Sequence, residues 1–99
     1  MSLPPDRVTH LIAFTREALS NAVRHAQARS IEVRAEVIDE HLLLSVRDDG
    51  RGFESDVPHG FGLRNMSDRA RLLGGEVTFD SVLGKGTTVR LDIPVERDA

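Results

Sequence analysis

Apolar residues along this chain alternate between a helical period and a strand period. Val8, Leu11, Ile12, Leu19, Ala22, Val23 and Ala26 recur at i, i+3, i+4 spacing, which predicts an amphipathic helix reaching about His25 or Ala26. Pro4, Pro5 and Asp6 mark its start: proline suits the first turn, and Asp6 suits either a cap or the positive end of the helix dipole. Glu17, Asn21, Arg24 and His25 project roughly opposite the apolar stripe, and so does Phe14. An aromatic residue on that side predicts a further packing partner or a contact made only in a longer protein. From Ser30 to Ile38 the period becomes two, with Ile31, Val33, Ala35 and Val37 facing one way and Glu32, Arg34 and Glu36 the other, as a strand requires. Asp39-Glu40 makes a turn, and Leu42, Leu44 and Val46 continue the buried side of a second strand. Counting on by two reaches Asp48. An acid in the register of core residues needs a hydrogen-bond partner, which makes Asp48 the most diagnostic position in the chain.

Residues 53 to 59 form a polar loop containing Pro58. A second helix is predicted from about Gly62 to Leu73, with Leu63, Met66, Ala70 and Leu73 on one face and Gly74-Gly75 as its stop. Two more strands follow, Glu76 to Val82 with Val77 and Phe79 inward, and Thr87 to Val95 with Val89, Leu91 and Ile93 inward. Gly84-Lys85-Gly86 joins them as a hairpin. The order helix, two strands, loop, helix, two strands predicts an α+β fold: a two-layer α/β sandwich with helices packed on one face of a mixed, largely antiparallel sheet. Residues 96 to 99 read as a frayed tail.

At 99 residues the chain has the size of one small domain, residues 1 to 99. Its net charge of -3 argues against a general affinity for nucleic-acid backbone. No apolar run approaches the ~20 residues of a membrane span, so no membrane contact is expected of this domain. Met1 to Leu3 is too short and polar for a signal peptide and reads as an expression remnant. The absence of cysteine excludes a disulfide framework and a Cys-based metal site, and fits a cytoplasmic protein.

Candidate chemistry gathers around glycines. Six of the eight form pairs with one residue between them: Gly50 and Gly52, Gly60 and Gly62, Gly84 and Gly86. In Asp48-Asp49-Gly50-Arg51-Gly52 the glycines permit close approach of a ligand ring, and Asp48 suits an exocyclic amine such as that of adenine; a strand end with a simple turn has the same spelling. Gly60-Phe61-Gly62-Leu63 opens the second helix, where free N–H groups point at phosphates, although a plain hinge would look alike. Gly84-Lys85-Gly86-Thr87 is by itself an ordinary hairpin turn. Glu17 and Asn21, one turn apart, stand on one helix face. A carboxylate and an amide oxygen suit a hard cation such as Mg²⁺ bridging phosphates, with Arg24 one turn further on; the same pair also reads as a solvated polar face.

The four elements in this order resemble the GHKL ATPases. Residues 17 to 26, Glu-Ala-Leu-Ser-Asn-Ala-Val-Arg-His-Ala, are similar to their N box, Asp48-x-Gly50-x-Gly52 to the G1 box, Gly60-x-Gly62-Leu63 to the G2 box, and Gly84-x-Gly86-Thr87 to the last glycine box. The resemblance spans about residues 8 to 94. The N-box spelling and the short loop are most similar to the catalytic ATP-binding domain of sensor histidine kinases, in the subgroup that includes the DesK and nitrate-sensor kinases. The resemblance implies a Bergerat fold, ATP and Mg²⁺ as cofactors, and phosphoryl transfer to a histidine on a separate dimerisation domain, with a response regulator downstream. It implies that Asn21 holds Mg²⁺ with Glu17 beside it as base or as water and metal positioner, and that Asp48 reads the adenine amino group. Gly50 and Gly52 would line the base pocket. Gly60, Gly62 and the Leu63 N–H would cradle phosphates with help from Arg24; His25 would lie near the nucleotide, and Thr87 would close the floor near Asp48. Three departures stand out. Few residues precede the N-box helix where relatives usually have a strand or hairpin, the loop at residues 53 to 59 is short, and no acceptor segment is present. His10 is followed by Leu11 rather than by an acid, and His41 and His59 read as surface residues. A serine kinase that doubles as an anti-sigma factor shares the boxes and is the alternative reading; a nucleotide-binding domain without kinase activity is another.

Overall fold

In the computed structural model, which describes residues 3–25, 27–52 and 63–96, Pro5 opens helix α1 (Pro5–Ser20). Pro4 occupies the N-cap with extended backbone and no side-chain cap bond, so Asp6 acts from within the first turn on the helix dipole and is not the cap. The helix does not continue to His25 as an α-helix. From Asn21 to His25 it widens into a π-helical turn, and the Ala28 N–H then reaches back to the Ala22 carbonyl at 3.3 Å. Such a bulge rotates the side chains that follow it and often accompanies a functional site.

Strands β1 (Ile31–Ile38) and β2 (His41–Asp48) form a hairpin through Asp39 and Glu40, whose φ values of 50° and 65° give the mirror-image turn that matches strand twist. Helix α2 (Leu63–Leu72) ends in a Schellman motif: the Gly75 N–H bonds to the Ala70 carbonyl and the Gly74 N–H to the Arg71 carbonyl, both at 2.9 Å. Strands β3 (Glu76–Val82) and β4 (Gly86–Pro94) complete the sheet, in the order β1-β2-β4-β3. Every pairing among the described strands is antiparallel, so the expected mixed character is absent from them. The two central strands carry the core. Leu42, Leu44 and Val46 of β2 and Val89, Leu91 and Ile93 of β4 are buried against Phe14 and Ala18 of α1 and Met66, Ala70 and Leu73 at α2.

The face of α1 differs from the predicted one. Phe14 is only 1% exposed, whereas Ile12 is 53% and Val23 66% exposed, and Val8 is exposed too. The buried stripe runs Phe14, Ala18, Ala22, with Leu11 and Leu19 partly buried beside it; it is turned by roughly 80° from the stripe counted on aliphatic residues. Small side chains at Ala18 and Ala22 let the helix approach its neighbours closely, and Phe14 fills the gap where the helices meet the sheet. Strand β1 shows a related departure. Val33 and Val37 point to the helical side yet are half-exposed, because α1 packs mainly on α2 and β2 and α2 mainly on β3, leaving β1 beyond the helical layer.

Candidate functional site

Register places Asp48, at the end of β2, directly opposite Ile31 of β1 and Thr87 of β4. Asp48 and Thr87 are the two buried polar residues of the described core, each 8% exposed. Asp48 Oδ1 accepts the Gly50 N–H at 2.8 Å. Among the described residues, no donor to Asp48 Oδ2 is found. Behind Asp48, Thr87 Oγ1 lies 2.8 Å from Ser81 Oγ of β3, and Ser81 Oγ also donates to the Gly86 carbonyl at 3.3 Å. The strand ends thus present one carboxylate oxygen beside a pair of rotatable hydroxyls, an arrangement suited to an N–H donor on a flat ligand. Ser81 was missed in the sequence, although counting by two from Val77 and Phe79 reaches it as the same counting reaches Asp48.

The glycines here make room first for the protein's own backbone. A β-carbon on Gly86, whose φ is 99°, would lie 2.1 Å from the Asp48 carbonyl oxygen, and one on Gly52, whose φ is 66°, would lie 2.2 Å from the Val82 carbonyl oxygen. Both bring the β3–β4 hairpin against the loop after β2, and the Gly84 N–H bonds to the Arg51 carbonyl across the same junction. Gly86→Ala is therefore expected to destabilise the fold by about 1–3 kcal/mol and to shift Asp48. Gly84→Ala, where a β-carbon meets nothing within 4 Å, tests backbone strain without that contact. Urea midpoints of the two variants should differ; equal values would count against the Asp48 contact.

Asp49, also unassigned by sequence, ties this loop to the start of β1. Its Oδ1 accepts the Arg29 N–H at 2.8 Å and the Ser30 N–H at 2.9 Å, and Oδ2 takes the Ser30 hydroxyl at 3.3 Å. The Ser30 N–H, and after it the Arg29 N–H, hold the Asp49 carboxyl below the usual carboxylate range. A depressed carboxyl stabilises the fold above the ordinary carboxylate pKa, and that contribution fades as pH falls through the lowered value. An Asx turn at Asp-Gly is legible in sequence, but a partner some twenty residues upstream is not.

On α1 and the turn that follows it, Glu17 and Asn21 are partly buried, and Glu17 faces α2 across a cleft. Asn21 Nδ2 approaches Met66 Sδ at 3.7 Å. A thioether only accepts, so the amide must turn its nitrogen to the sulfur and its Oδ1 away from it. Glu17 lines a cleft of about 260 Å³ between the helices with Ala13, Arg16, Asn65, Met66 and Arg69. His10 Nδ1 lies 3.1 Å from Arg69 Nη1 near this cleft. Arg24 is exposed, and the backbone of His25 closes the π turn. Leu63 opens α2, so its N–H is among the amino-terminal donors that have no partner within the helix. Gly60 and Gly62, with the expected loop and His59, lie outside the described residues. His41, as expected of a surface residue, is exposed, with Nδ1 2.7 Å from Asp92 Oδ1. The structure thus forms two groups: Asp48, Gly50, Gly52 and Thr87 at the strand ends, and Glu17 and Asn21 against α2.

Known proteins share this fold and sequence pattern. The family model described as histidine kinase-, DNA gyrase B- and HSP90-like ATPase matches residues 6–97. The signal transduction histidine-protein kinase/phosphatase DegS of Bacillus subtilis is 33% identical over 98 residues, covering 94% of this chain and 26% of that protein. The sensor histidine kinase LiaS of the same organism is 38% identical over 88 residues, covering 87% of this chain and 24% of that protein. The chain therefore spans about a quarter of the length of these curated relatives. Among solved structures, the blue-light activated histidine kinase of Erythrobacter litoralis EL346 superposes with a TM-score of 0.82 at 29% identity, over 94% of this chain and 32% of that one. The ATP binding domain of PrrB from Mycobacterium tuberculosis shares the fold, with a TM-score of 0.74 at 23% identity over 90% of this chain and 69% of that one. With a match from residue 6 to residue 97 and this common fold, the chain belongs to the histidine kinase-, DNA gyrase B- and HSP90-like ATPase family.

Proposed function

We propose that this chain is the ATP-binding catalytic domain of a two-component sensor histidine kinase of the DesK and nitrate-sensor type. It would bind Mg-ATP in the cytoplasm and transfer the γ-phosphoryl group to a histidine on a separate dimerisation domain, from which a response regulator receives it. The observation that carries the reading is Asp48: an acid at the end of a buried stripe, with one oxygen bonded to Gly50 N–H, the other without a donor among the described residues, and Thr87 opposite it in the sheet. That oxygen suits the adenine amino group, and Thr87 stands opposite it on the neighbouring strand. Gly50 and Gly52 would border the base, and the Leu63 N–H, with Gly60, Gly62 and Arg24, would meet the phosphates. His25 would lie near the nucleotide.

Asn21 fits the role of cation ligand, because Met66 takes its amide nitrogen and leaves the oxygen for a hard ion. Among the described residues no cluster of three or more His, Asp or Glu side chains could hold a metal alone. An amide oxygen with a carboxylate nearby suits Mg²⁺, which keeps waters and is shared with substrate phosphates. The cation would neutralise phosphate charge; Glu17 would orient a water or the metal from the cleft beside it. Catalysis by these residues is positioning and charge neutralisation. Among the described residues no helix is long and apolar enough to cross a membrane.

A fluorescent ATP analogue tests the proposal. Saturable binding, tighter with Mg²⁺ than without, is expected, with no autophosphorylation by the isolated chain and phosphoryl transfer once the acceptor domain is added. Asn21→Asp should alter the Mg²⁺ dependence of that transfer. Absence of saturable binding would overturn the proposal, and an identical Mg²⁺ response would remove Asn21 from the metal site.

A further inference from the structure

The structure assigns Asp49 a positioning role: its carboxylate locks the segment that descends from Asn21 to the turn that follows Asp48, and so sets the spacing between the cation end and the base end of the nucleotide site. The inference rests on the function proposed above and concerns a residue that would not touch the nucleotide.

Three observations converge on it. First, β1 begins at Ile31, so the N–H groups of Arg29 and Ser30 lie outside the β1–β2 ladder. Both donate to one oxygen of Asp49, at 2.8 Å and 2.9 Å, while the Ser30 hydroxyl holds the other at 3.3 Å. The Asp49 N–H returns a bond to the Ser30 carbonyl at 3.4 Å, which closes the joint from both sides. Second, the clamped residues are the lower end of the Asn21 segment. The chain leaves α1 through the π turn Asn21–His25, bonds Ala28 N–H to Ala22 carbonyl, takes a φ of 52° at Gln27, and arrives at Arg29 and Ser30. Third, the other side of the clamp is the floor of the site. Asp49 stands between Asp48 and Gly50, whose N–H is itself held by Asp48 Oδ1 at 2.8 Å. The joint therefore ties the segment that follows Asn21 to the residue next to Asp48.

Asp49 is excluded as a ligand by its own bonding. Both of its oxygens already receive protein donors, and adjacent residues of an extended segment point to opposite faces, so Asp49 points away from the side on which Asp48 works. It acts through its neighbours. A nucleotide that must reach Asp48 with its base and a cation on Asn21 with its phosphates is sensitive to their separation, because misplacement on the scale of 1 Å is costly to a ligand held at two points.

The test uses the whole chain, a fluorescent ATP analogue, and Mg²⁺ added or withheld. Asp49→Ala is expected to weaken Mg-analogue binding about tenfold and to bring the ratio of affinities with and without Mg²⁺ close to one. Asp49→Asn keeps an oxygen to accept the two N–H groups and should restore affinity to within about threefold of wild type. A merely local stabiliser would lower the melting temperature of Asp49→Ala and leave the Mg²⁺ ratio of the folded protein unchanged; that result would overturn the role. Equal losses in the Ala and Asn variants would also overturn it, since they would point to charge rather than to hydrogen bonding. Amide exchange on the wild-type protein is independent of whether Asp49→Ala folds: the Arg29 and Ser30 amides should be protected and become more so with Mg-analogue bound, and unprotected amides would overturn the clamp. Wild-type protein that binds no analogue would refute the proposed function, whereas wild-type binding matched by Asp49→Ala would refute only the role of Asp49.

Discussion

Asp48→Ala is expected to weaken binding of an ATP analogue by about 10–100-fold, the loss that follows from removing one hydrogen bond to a charged acceptor worth ~1.5–3 kcal/mol. The effect should be large because the acid is built into the end of the core: it is 8% exposed, its Oδ1 is engaged by Gly50, and Thr87 and Ser81 stand behind it. No neighbouring carboxylate in that register can replace it, since the residues before it on its face are Val46, Leu44 and Leu42. Asp48→Asn is the informative companion. It keeps an oxygen for the Gly50 N–H and so preserves the loop, but it substitutes an amide for the carboxylate that faces the ligand. Both variants should unfold near the wild-type urea midpoint, within the ~1 kcal/mol that a lost loop hydrogen bond costs. Titration of the analogue reads the first effect and urea denaturation the second. Unchanged affinity in Asp48→Ala would remove Asp48 from the base site.

Phe14→Ala is expected to be the most destabilising single truncation, at about 3–5 kcal/mol. Against the ~5–15 kcal/mol by which domains are generally stable, that is a large share of the total. Phe14 is 1% exposed and is the largest fully buried side chain among the described residues. It belongs to the core cluster formed with Ala18, Met66, Leu73 and the central strands, so its removal leaves a cavity among residues that cannot collapse without moving α1. Ile12→Ala is the control: Ile12 is 53% exposed, and its truncation should change stability by no more than about 0.5 kcal/mol. Urea unfolding of the two variants decides between the helix face seen in the structure and the one counted from aliphatic residues. A larger cost at Ile12 than at Phe14 would reverse the assignment.

Much of the architecture is legible in the chain because its signals are local. Alternation of Leu42, Leu44, Val46 and Asp48 identifies β2 and its buried side, and each of the four is buried. Met66, Ala70 and Leu73 identify the inner face of α2, and Gly74-Gly75 its end, which the structure realises with two backbone bonds. Elements fail to be read where the deciding quantity is a partner distant in sequence. An edge strand and a central strand alternate alike, so nothing in Val33, Ala35 and Val37 reveals that β1 lies outside the helical layer. The face of α1 is lost for a similar reason. Aliphatic spacing weighs Ile12 and Val23 above Ala18 and Ala22, while close approach of a helix is governed by the small residues.

The candidate site divides in the same way. Asp48, Asn21 and the glycines stand out because their residue types are improbable for a plain core or a plain helix face, and that improbability is a property of sequence. Their supporting groups carry no such mark. Met66 reads as core, Ser81 as a strand residue and Asp49 as turn chemistry, yet the first orients Asn21, the second bonds Thr87, and the third clamps the loop of Asp48 to Ser30. The sequence by itself determined the element order, the inward faces of β2, β4 and α2, and the residue types available for a phosphate and base site, because periodicity and turn chemistry act over a few residues. Tertiary structure alone decided the helix face that carries Phe14, the bareness of β1, the backbone contact that makes Gly86 obligatory, and the hydrogen bonds that aim Asn21 and hold Asp48. Those depend on which distant segments meet, and contact between distant segments is set by the packing of the whole chain.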